Sequence, residues 1–445
     1  MFSNHYFQKH VYLRLGDVIT GQKVYTSMKL LQKSEFWKRE EIDTFQSQRL
    51  KLLIQHAYEY VPYYRDLFRK LNLTPDEIQS KNDLNKLPIL TKTIIKQEGI
   101  ERFTSEAFQK SELIQASSSG STGEPLFYFN TKEAYSMNIA ANLRGWYGMG
   151  YKLGDKYIKL SQNPRKKPIK RIQDTLTNNL YLASNPLTED NFKYILEQIE
   201  IYQPKIIRCY PDPLLFIARY KKEHPEFTYI PHALTTTGNT LFPETRQEIE
   251  EAFGCKIFDA YSCEGNACVF ECPTHDCYHS TEEYGITEII DENGNAIKKG
   301  IGRLISTDLW NVAHPFIRYD TQDLVEIDDT PCICGRQHLR INQIIGRDNE
   351  VLLMPSGRKF IVHNFTGFFQ TDAKTMKRAV DQFQIIKQKD NSVLFKLVVN
   401  AAYDKEVEMY ILDFWQKELD VPVYIEIIKE IPIMQNNKRR FIIND

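Results

Sequence analysis

Ser117-Ser118-Ser119-Gly120-Ser121-Thr122-Gly123-Glu124-Pro125 carries little side-chain bulk and ends on a proline. Backbone N–H groups in such a loop can turn inward and approach an anion closely. The hydroxyls of Ser119, Ser121 and Thr122 add donors that can follow a phosphate. Leu113-Ile114 on one side and Leu126-Phe127-Tyr128-Phe129 on the other read as two strands joined by this glycine-rich turn. No Gly-Lys-Ser/Thr closes the run, so it is not a Walker loop. Taken alone, a plain serine-rich hairpin would account for it equally well.

Downstream of the loop, short β-rich runs alternate with amphipathic stretches. The order is Lys156–Leu160, Glu189–Tyr202, Lys205–Tyr210, Asp212–Lys222, Ala233–Thr237, Pro243–Phe253 and Lys256–Ala260. This alternation predicts an α/β fold, a largely parallel sheet covered by helices. Upstream, residues 46–70 have helical periodicity through Leu50, Leu53, Ile54, Ala57 and Tyr60, stopped by Val61-Pro62. A second helical stretch is expected around Asp83. Around 284–290 and 301–307 the pattern turns β-rich, with a hairpin signal at Asp291-Glu292-Asn293-Gly294. The polar, turn-prone Gly346-Arg347-Asp348-Asn349 suggests a boundary, giving a large domain of residues 1–346 and a small one of 347–445. The small domain should hold strands at Gln384–Lys387, Val393–Val399 and Val423–Ile428 and a helix over Lys405–Leu419.

The 445 residues, 42% of them hydrophobic, are enough for a large core. A formal net charge of -1 argues against a nucleic-acid binder, whose footprint would be basic. No apolar run is long enough to span a membrane, and Met1-Phe2-Ser3-Asn4-His5 lacks the layout of a signal peptide. A soluble, cytoplasmic protein is expected. Seven of the eight cysteines fall within residues 255–334. Such crowding points to a metal rather than to a disulfide framework.

Three further segments carry chemistry. Thr235-Thr236-Thr237-Gly238-Asn239 ends a predicted strand, where open α/β sheets bind ligands. Asp259-Ala260-Tyr261-Ser262-Cys263-Glu264-Gly265 ends the next strand with an aromatic ring and a carboxylate. Arg318-Tyr319-Asp320-Thr321-Gln322-Asp323-Leu324 places acids beside an arginine. Singly, each has a duller reading as a turn acid, a surface carboxylate or a core aromatic.

In order along the chain, the set resembles the adenylate-forming enzymes of the phenylacetate–CoA ligase and CapK type. The resemblance rests on Ala57-Tyr58-Glu59-Tyr60-Val61-Pro62-Tyr63-Tyr64-Arg65, on Ser118 to Pro125, on Ile317 to Asp323, on Cys332-Ile333-Cys334-Gly335-Arg336 and on Ile345-Gly346-Arg347-Asp348. It implies a large adenylate-forming N-terminal domain with mainly parallel sheets and a small mobile α+β C-terminal domain. It also implies two half-reactions: a carboxylate attacks the α-phosphate of ATP, and an acceptor such as the thiol of CoA then displaces AMP. Attack brings one anion towards another, so charge must be neutralised and the reactants held in line.

The resemblance implies that Ser118, Ser119, Gly120, Ser121, Thr122 and Gly123 wrap the β- and γ-phosphates, and that Glu264 holds Mg²⁺. Tyr261 would stack on adenine, with Thr237, Gly238 and Ser262 in the same pocket. Asp323 would accept both ribose hydroxyls, assisted by Arg347, and Lys438, with its neighbours Arg439 and Arg440 as rival candidates, would stabilise the α-phosphate transition state. The implied structural zinc site is Cys272, His279, Cys332 and Cys334, with His275 or Cys277 able to substitute. Departures are the spacing Tyr261-Ser262-Cys263-Glu264, shorter by one residue, Asn239 in place of a glutamate, and Gln322 in place of a glycine. They point to a divergent acyl or acceptor specificity. Partners would be a small carboxylic acid and its acceptor, which is CoA, an amine or a hydroxyl. A non-catalytic nucleotide binder is a further alternative, and a homodimer is compatible with the resemblance. Trp146, Tyr147 and Tyr210 are candidates to line the acid pocket.

Overall fold

The computed structural model describes residues 11–117, 126–161, 168–263, 268–347, 351–356, 358–369, 376, 379–431 and 441–444. The strands are β1 (Ile114–Ser117), β2 (Phe127–Asn130), β3 (Tyr157–Ser161), β4 (Asn179–Ala183), β5 (Ile206–Cys209), β6 (Ala233–Thr237) and β7 (Ile257–Ser262). They continue with β8 (Cys268–Glu271), β9 (Tyr278–Ser280), β10 (Gly285–Ile290), β11 (Gly300–Asp308), β12 (Tyr319–Ile327) and β13 (Arg340–Arg347). Then come β14 (Val351–Leu353), β15 (Lys359–Ile361), β16 (Val380–Lys387), β17 (Val393–Val399), β18 (Val423–Ile427) and β19 (Ile442–Asn444).

Eleven strands form one sheet in the order β10-β11-β12-β13-β9-β8-β7-β6-β5-β3-β4. The parallel pattern holds from β4 through β3, β5 and β6 to β7. Helices Glu189–Tyr202, Pro211–Glu223 and Pro243–Phe253 make the crossovers that parallel neighbours require. Two of them start on a proline at the first turn, where its missing N–H costs nothing. Gly254, at φ +70°, ends the third. Helices cover both faces here, so β6 is buried from Ala233 to Thr236 with no polar alternation.

From β7 onward the pairings are antiparallel, so the sheet is mixed. Short connections replace helical crossovers in this half. The Asp291–Gly294 turn between β10 and β11 forms where the sequence signals it, with Gly294 at φ +82° and its N–H on the Asp291 carbonyl at 3.1 Å. Val269, Ile289, Leu304, Val325, Ile327 and Ile341, drawn from β8, β10, β11, β12 and β13, share one apolar cluster with Tyr261. Side chains of strands so far apart in the order meet only where the sheet curls.

The N-terminal helices break at Val61 as expected: Arg39–Tyr60 ends, and Pro62–Leu71 begins with proline at its first position. The stretch near Asp83 is a tighter 3₁₀ turn, Lys81–Lys86, rather than an α-helix. These helices and Lys132–Gly148 pack against Tyr284, Ile286, Phe316 and Tyr319 of the antiparallel half. Beyond β13, a four-stranded sheet ordered β18-β17-β16-β19 is packed by helix Lys405–Leu419. Its core holds Phe365, Phe369, Phe395 and Trp415, with Phe365 stacked on Trp415 at 4.5 Å. Phe242, from the larger part, joins that core, and Arg219 pairs with Asp381 at 3.3 Å.

Candidate active site and cysteine cluster

The hairpin expected around the serine-rich turn is present. β1 and β2 pair antiparallel, with Ser117 opposite Phe127 at the mouth of the loop. Ser118, Ser119, Gly120, Ser121, Thr122 and Gly123 lie outside the described residues, as do Glu264, Lys438 and the side chain of Arg347. What the structure fixes is the stem. The side-chain amide of Asn311 donates to the Phe129 carbonyl at 2.8 Å, and the Tyr128 ring meets Phe316 edge-on at 5.3 Å. On the opposite side, the Tyr64 hydroxyl donates to the Pro315 carbonyl at 2.8 Å and accepts from the Ile317 N–H at 3.2 Å. The connection between β11 and β12 is therefore clamped between the hairpin and helix Pro62–Leu71, and it leads directly into Arg318–Asp323.

Asp323 sits on a β-bulge. Against β11, Asp320 pairs with Ile305 and Leu324 with Arg303, so residues 321–323 face Leu304 alone. The Thr321 hydroxyl donates to the Leu304 carbonyl at 2.8 Å and accepts from the Asp323 N–H at 3.1 Å, replacing ladder bonds that the bulge removes. Gln322 takes φ +61°, and its N–H donates to Asp320 Oδ1 at 2.9 Å. Such bulges re-aim side chains. On the other edge of β12, Asp323 is the cross-strand partner of Arg347, the last residue of β13. Asp323 is only 6% exposed.

The hydroxyl of Tyr261 donates to Asp323 Oδ2 at 2.6 Å. In the sheet order β13, β9 and β8 stand between β12 and β7. Were the sheet flat, strands four places apart would lie about 19 Å from each other, beyond the reach of a tyrosine and an aspartate. The curl of the antiparallel half brings the two together. The resemblance names both residues; their contact follows from curvature, which leaves no local signal.

Beside Tyr261, Thr237 pairs with Ala260 across the parallel β6–β7 ladder, and Ser262 is exposed at the end of β7. Gly238 follows at φ +88°, and a Cβ there would stand 2.3 Å from the Tyr210 ring. Only glycine allows the ring to lie against this backbone. Tyr210 thus joins Thr237, Gly238 and Tyr261 at the carboxyl ends of β5, β6 and β7. Beneath them, Asp259 accepts from the Thr236 hydroxyl at 2.6 Å and the Tyr278 hydroxyl at 3.1 Å. Burial pushes the Asp259 carboxyl up to about 6, its hydrogen bond from Thr236 opposing the shift. The Asp259 N–H donates to Glu271, which also pairs with Arg246 at 2.8 Å. Thr321, Asp259 and Tyr278 are supports that motif reading did not single out.

The cysteine cluster forms between the β8–β9 hairpin and the turn before β13. Ligand atoms of Cys272, Cys277, His279 and Cys332 all lie within 4.8 Å of one another. Cys334 Sγ stands 3.3 Å from His279 Nε2. The thiol spacings are 3.8 Å for Cys272–Cys332 and 3.6 Å for Cys277–Cys332. A tetrahedron with Zn–S bonds of about 2.3 Å has edges of about 3.8 Å, so the donor set suits zinc. Cys277 stands in the tight set where the resemblance placed Cys334, giving five donors for four positions. Burial, then the nearby Arg336 guanidinium, lower His279 to about 4, which leaves the neutral imidazole that metal ligation uses. Burial alone would raise the Cys332 thiol, but the Cys334 N–H and the neighbouring thiols bring it below its ordinary value.

No protein-family profile matches the chain. It is 27% identical over 424 residues to the protein CapK of Staphylococcus aureus, covering 92% of this chain and 90% of that protein. To a phenylacetate-coenzyme A ligase of Thermus thermophilus it is 24% identical, covering 84% and 85%. Among solved structures, 2-hydroxyisobutyryl-CoA ligase in its postadenylation state superposes with a TM-score of 0.75 at 18% identity, over 93% of this chain and 92% of that one. The same ligase in its thioesterification state gives 0.62. By sequence the chain is similar over most of its length to CapK and the phenylacetate–CoA ligases, and its fold is that of the adenylate-forming ligases.

Proposed function

We propose that the protein activates a carboxylic acid with ATP, forming an acyl-adenylate and pyrophosphate, and then transfers the acyl group to CoA. The observation that carries this reading is the buried Asp323, held on its bulge opposite Arg347 and bonded to Tyr261. A carboxylate fixed in this way, bonded to the tyrosine near the end of β7, suits a ribose with two adjacent hydroxyls. Asp323 accepts those hydroxyls, and Tyr210, Thr237, Gly238 and Tyr261 enclose the base. Ser118 to Gly123, on the β1–β2 stem, hold the β- and γ-phosphates through backbone N–H groups. The substrate carboxylate oxygen bonds to the α-phosphorus, the bond to the bridging oxygen breaks, and its electron pair leaves with pyrophosphate. Lys438 offsets the charge that gathers on the α-phosphate. Glu264 is the carboxylate for Mg²⁺, which would neutralise phosphate charge when bound. In the second half-reaction a thiolate bonds to the acyl carbon and AMP departs.

Residues 347–445 act as a lid. Their own sheet and core support this, as does the better superposition on a postadenylation state. The lid turns about Asp348 between half-reactions, withdrawing Lys438 and admitting the acceptor. The Cys/His cluster holds one structural zinc that staples the β8–β9 hairpin to the turn before β13. The protein works in the cytoplasm.

Carboxylate-dependent exchange of labelled pyrophosphate into ATP, across a panel of aromatic and aliphatic acids, tests the first half-reaction. Addition of CoA, then of amines and alcohols, identifies the acceptor. Exchange with at least one acid and thioester with CoA are expected. Exchange followed by amide or ester, with no thioester, would move the assignment to a CoA-independent ligase. ATP binding with no exchange for any acid would leave only a nucleotide-binding role.

A further inference from the structure

The stacking role that the resemblance gives Tyr261 uses its ring and leaves its hydroxyl without a task. In the structure that hydroxyl donates to Asp323 Oδ2 at 2.6 Å, across a curled sheet and 62 residues of sequence. Both ends of the bond are fixed by backbone. Tyr261 is paired with Val269 on β8, and Asp323 is pinned by its N–H on Thr321 and by the bulge over Leu304. The terminal torsion of an aspartate is broad, so backbone placement alone leaves the plane of its carboxylate unset. The Tyr261 hydroxyl on Oδ2 is a donor that constrains it. An ionised carboxylate offers about four acceptor sites, so a bond from Tyr261 is compatible with two more from a ribose. Burial, then the Asp323 carboxylate, push the Tyr261 hydroxyl well above its ordinary value, which keeps it the donor.

We infer that the Tyr261 hydroxyl is a positioning group for the sugar: it orients Asp323 to receive the two ribose hydroxyls, a role separate from any contact of its ring with the base. This rests on the ribose role proposed for Asp323. Pre-setting an acceptor reduces the cost of ordering it when the ligand arrives.

The test compares Tyr261→Phe, which keeps the ring, with the unaltered protein, using equilibrium binding of ATP and of ATP lacking both ribose hydroxyls (dideoxy-ATP). The unaltered protein should prefer ATP. Tyr261→Phe should weaken ATP by up to about tenfold, the cost of ordering one freed side chain when the ligand arrives, while dideoxy-ATP binding changes little, so the preference shrinks. Equal weakening of both nucleotides would overturn the inference, since a lost ring contact or a shifted strand acts on both alike. No weakening of either would also overturn it. If the unaltered protein does not distinguish the two nucleotides, the ribose role of Asp323 itself fails and this inference falls with it. Thermal melts of both proteins guard against a folding defect: a variant that melts normally yet loses the preference supports the positioning role.

Discussion

Gln322 adopts φ +61° immediately before Asp323, at a position where the resemblance leads one to expect glycine. An L-residue held in the left-handed region costs about 1 kcal/mol or more. The bulge imposes that conformation, and the Gln322 N–H bond to Asp320 Oδ1 holds it. Gln322→Gly should therefore relieve about 1 kcal/mol or more of strain, partly offset by glycine's greater freedom in the unfolded chain, a net gain of about 1 °C or less in Tm by calorimetry for a chain of 445 residues. A lower Tm would show that the backbone is relaxed there. The sequence displays Gln322 as a departure from a pattern, but its φ depends on the register of β11 against β12, which no neighbouring residue encodes. Gly238 was more legible. A glycine after three threonines at a strand end asks for a special backbone, and the Tyr210 ring at 2.3 Å from its absent Cβ supplies the reason.

At the scale of elements, two substructures make separate predictions. The Cys/His cluster ties the β8–β9 hairpin to the β12–β13 connection. Metal analysis should find about one zinc per chain, and chelation should lower the melting temperature, because metal-binding free energy in such sites is folding free energy. Cys332→Ser should do the same; a zinc-free protein with an unchanged melt would remove the staple.

The second is Asp259, buried between β6, β7 and β9 and pushed up to about 6 from an ordinary 3.8. Between those values the folded protein keeps a proton that the unfolded chain has released. Stability from this group therefore falls as pH rises from about 4 to about 6, and by pH 7 the loss is complete. Denaturation at pH 5 and pH 7 should show Asp259→Asn losing about 1 kcal/mol less across that step than the unaltered protein. An equal pH response in both proteins would mean that Asp259 stays ionised. The strands and crossover helices around Asp259 were readable because buried parallel strands and amphipathic helices carry distinct periods. Helix Lys405–Leu419 and strand β17 fall on their expected bounds. The antiparallel half was readable only as β-rich, since its order and curl come from pairings between residues far apart in the chain.

Across the whole molecule, the curled antiparallel half, the parallel half and the small C-terminal sheet meet near the carboxyl ends of β6 and β7. Phe242, just beyond Gly238, contacts Phe441 at 5.9 Å, and Phe441 immediately follows the segment that carries Lys438. Chain order of motifs made the fold legible, because an adenylate-forming architecture distributes its site over loops in a fixed sequence. The mutual support of those motifs was not legible: the bond between Tyr261 and Asp323, and the clamp of Tyr64 and Asn311 on the segment before β12, join residues far apart in sequence. Adenylation requires a carboxylate oxygen to become bonded to the α-phosphorus of ATP. Incubation of the protein with ATP, CoA and a turned-over acid labelled with heavy oxygen in its carboxylate, followed by mass spectrometry of the nucleotide product, tests this directly. AMP carrying one heavy oxygen per turnover is the predicted result; unlabelled AMP, or ADP as the nucleotide product, would contradict it.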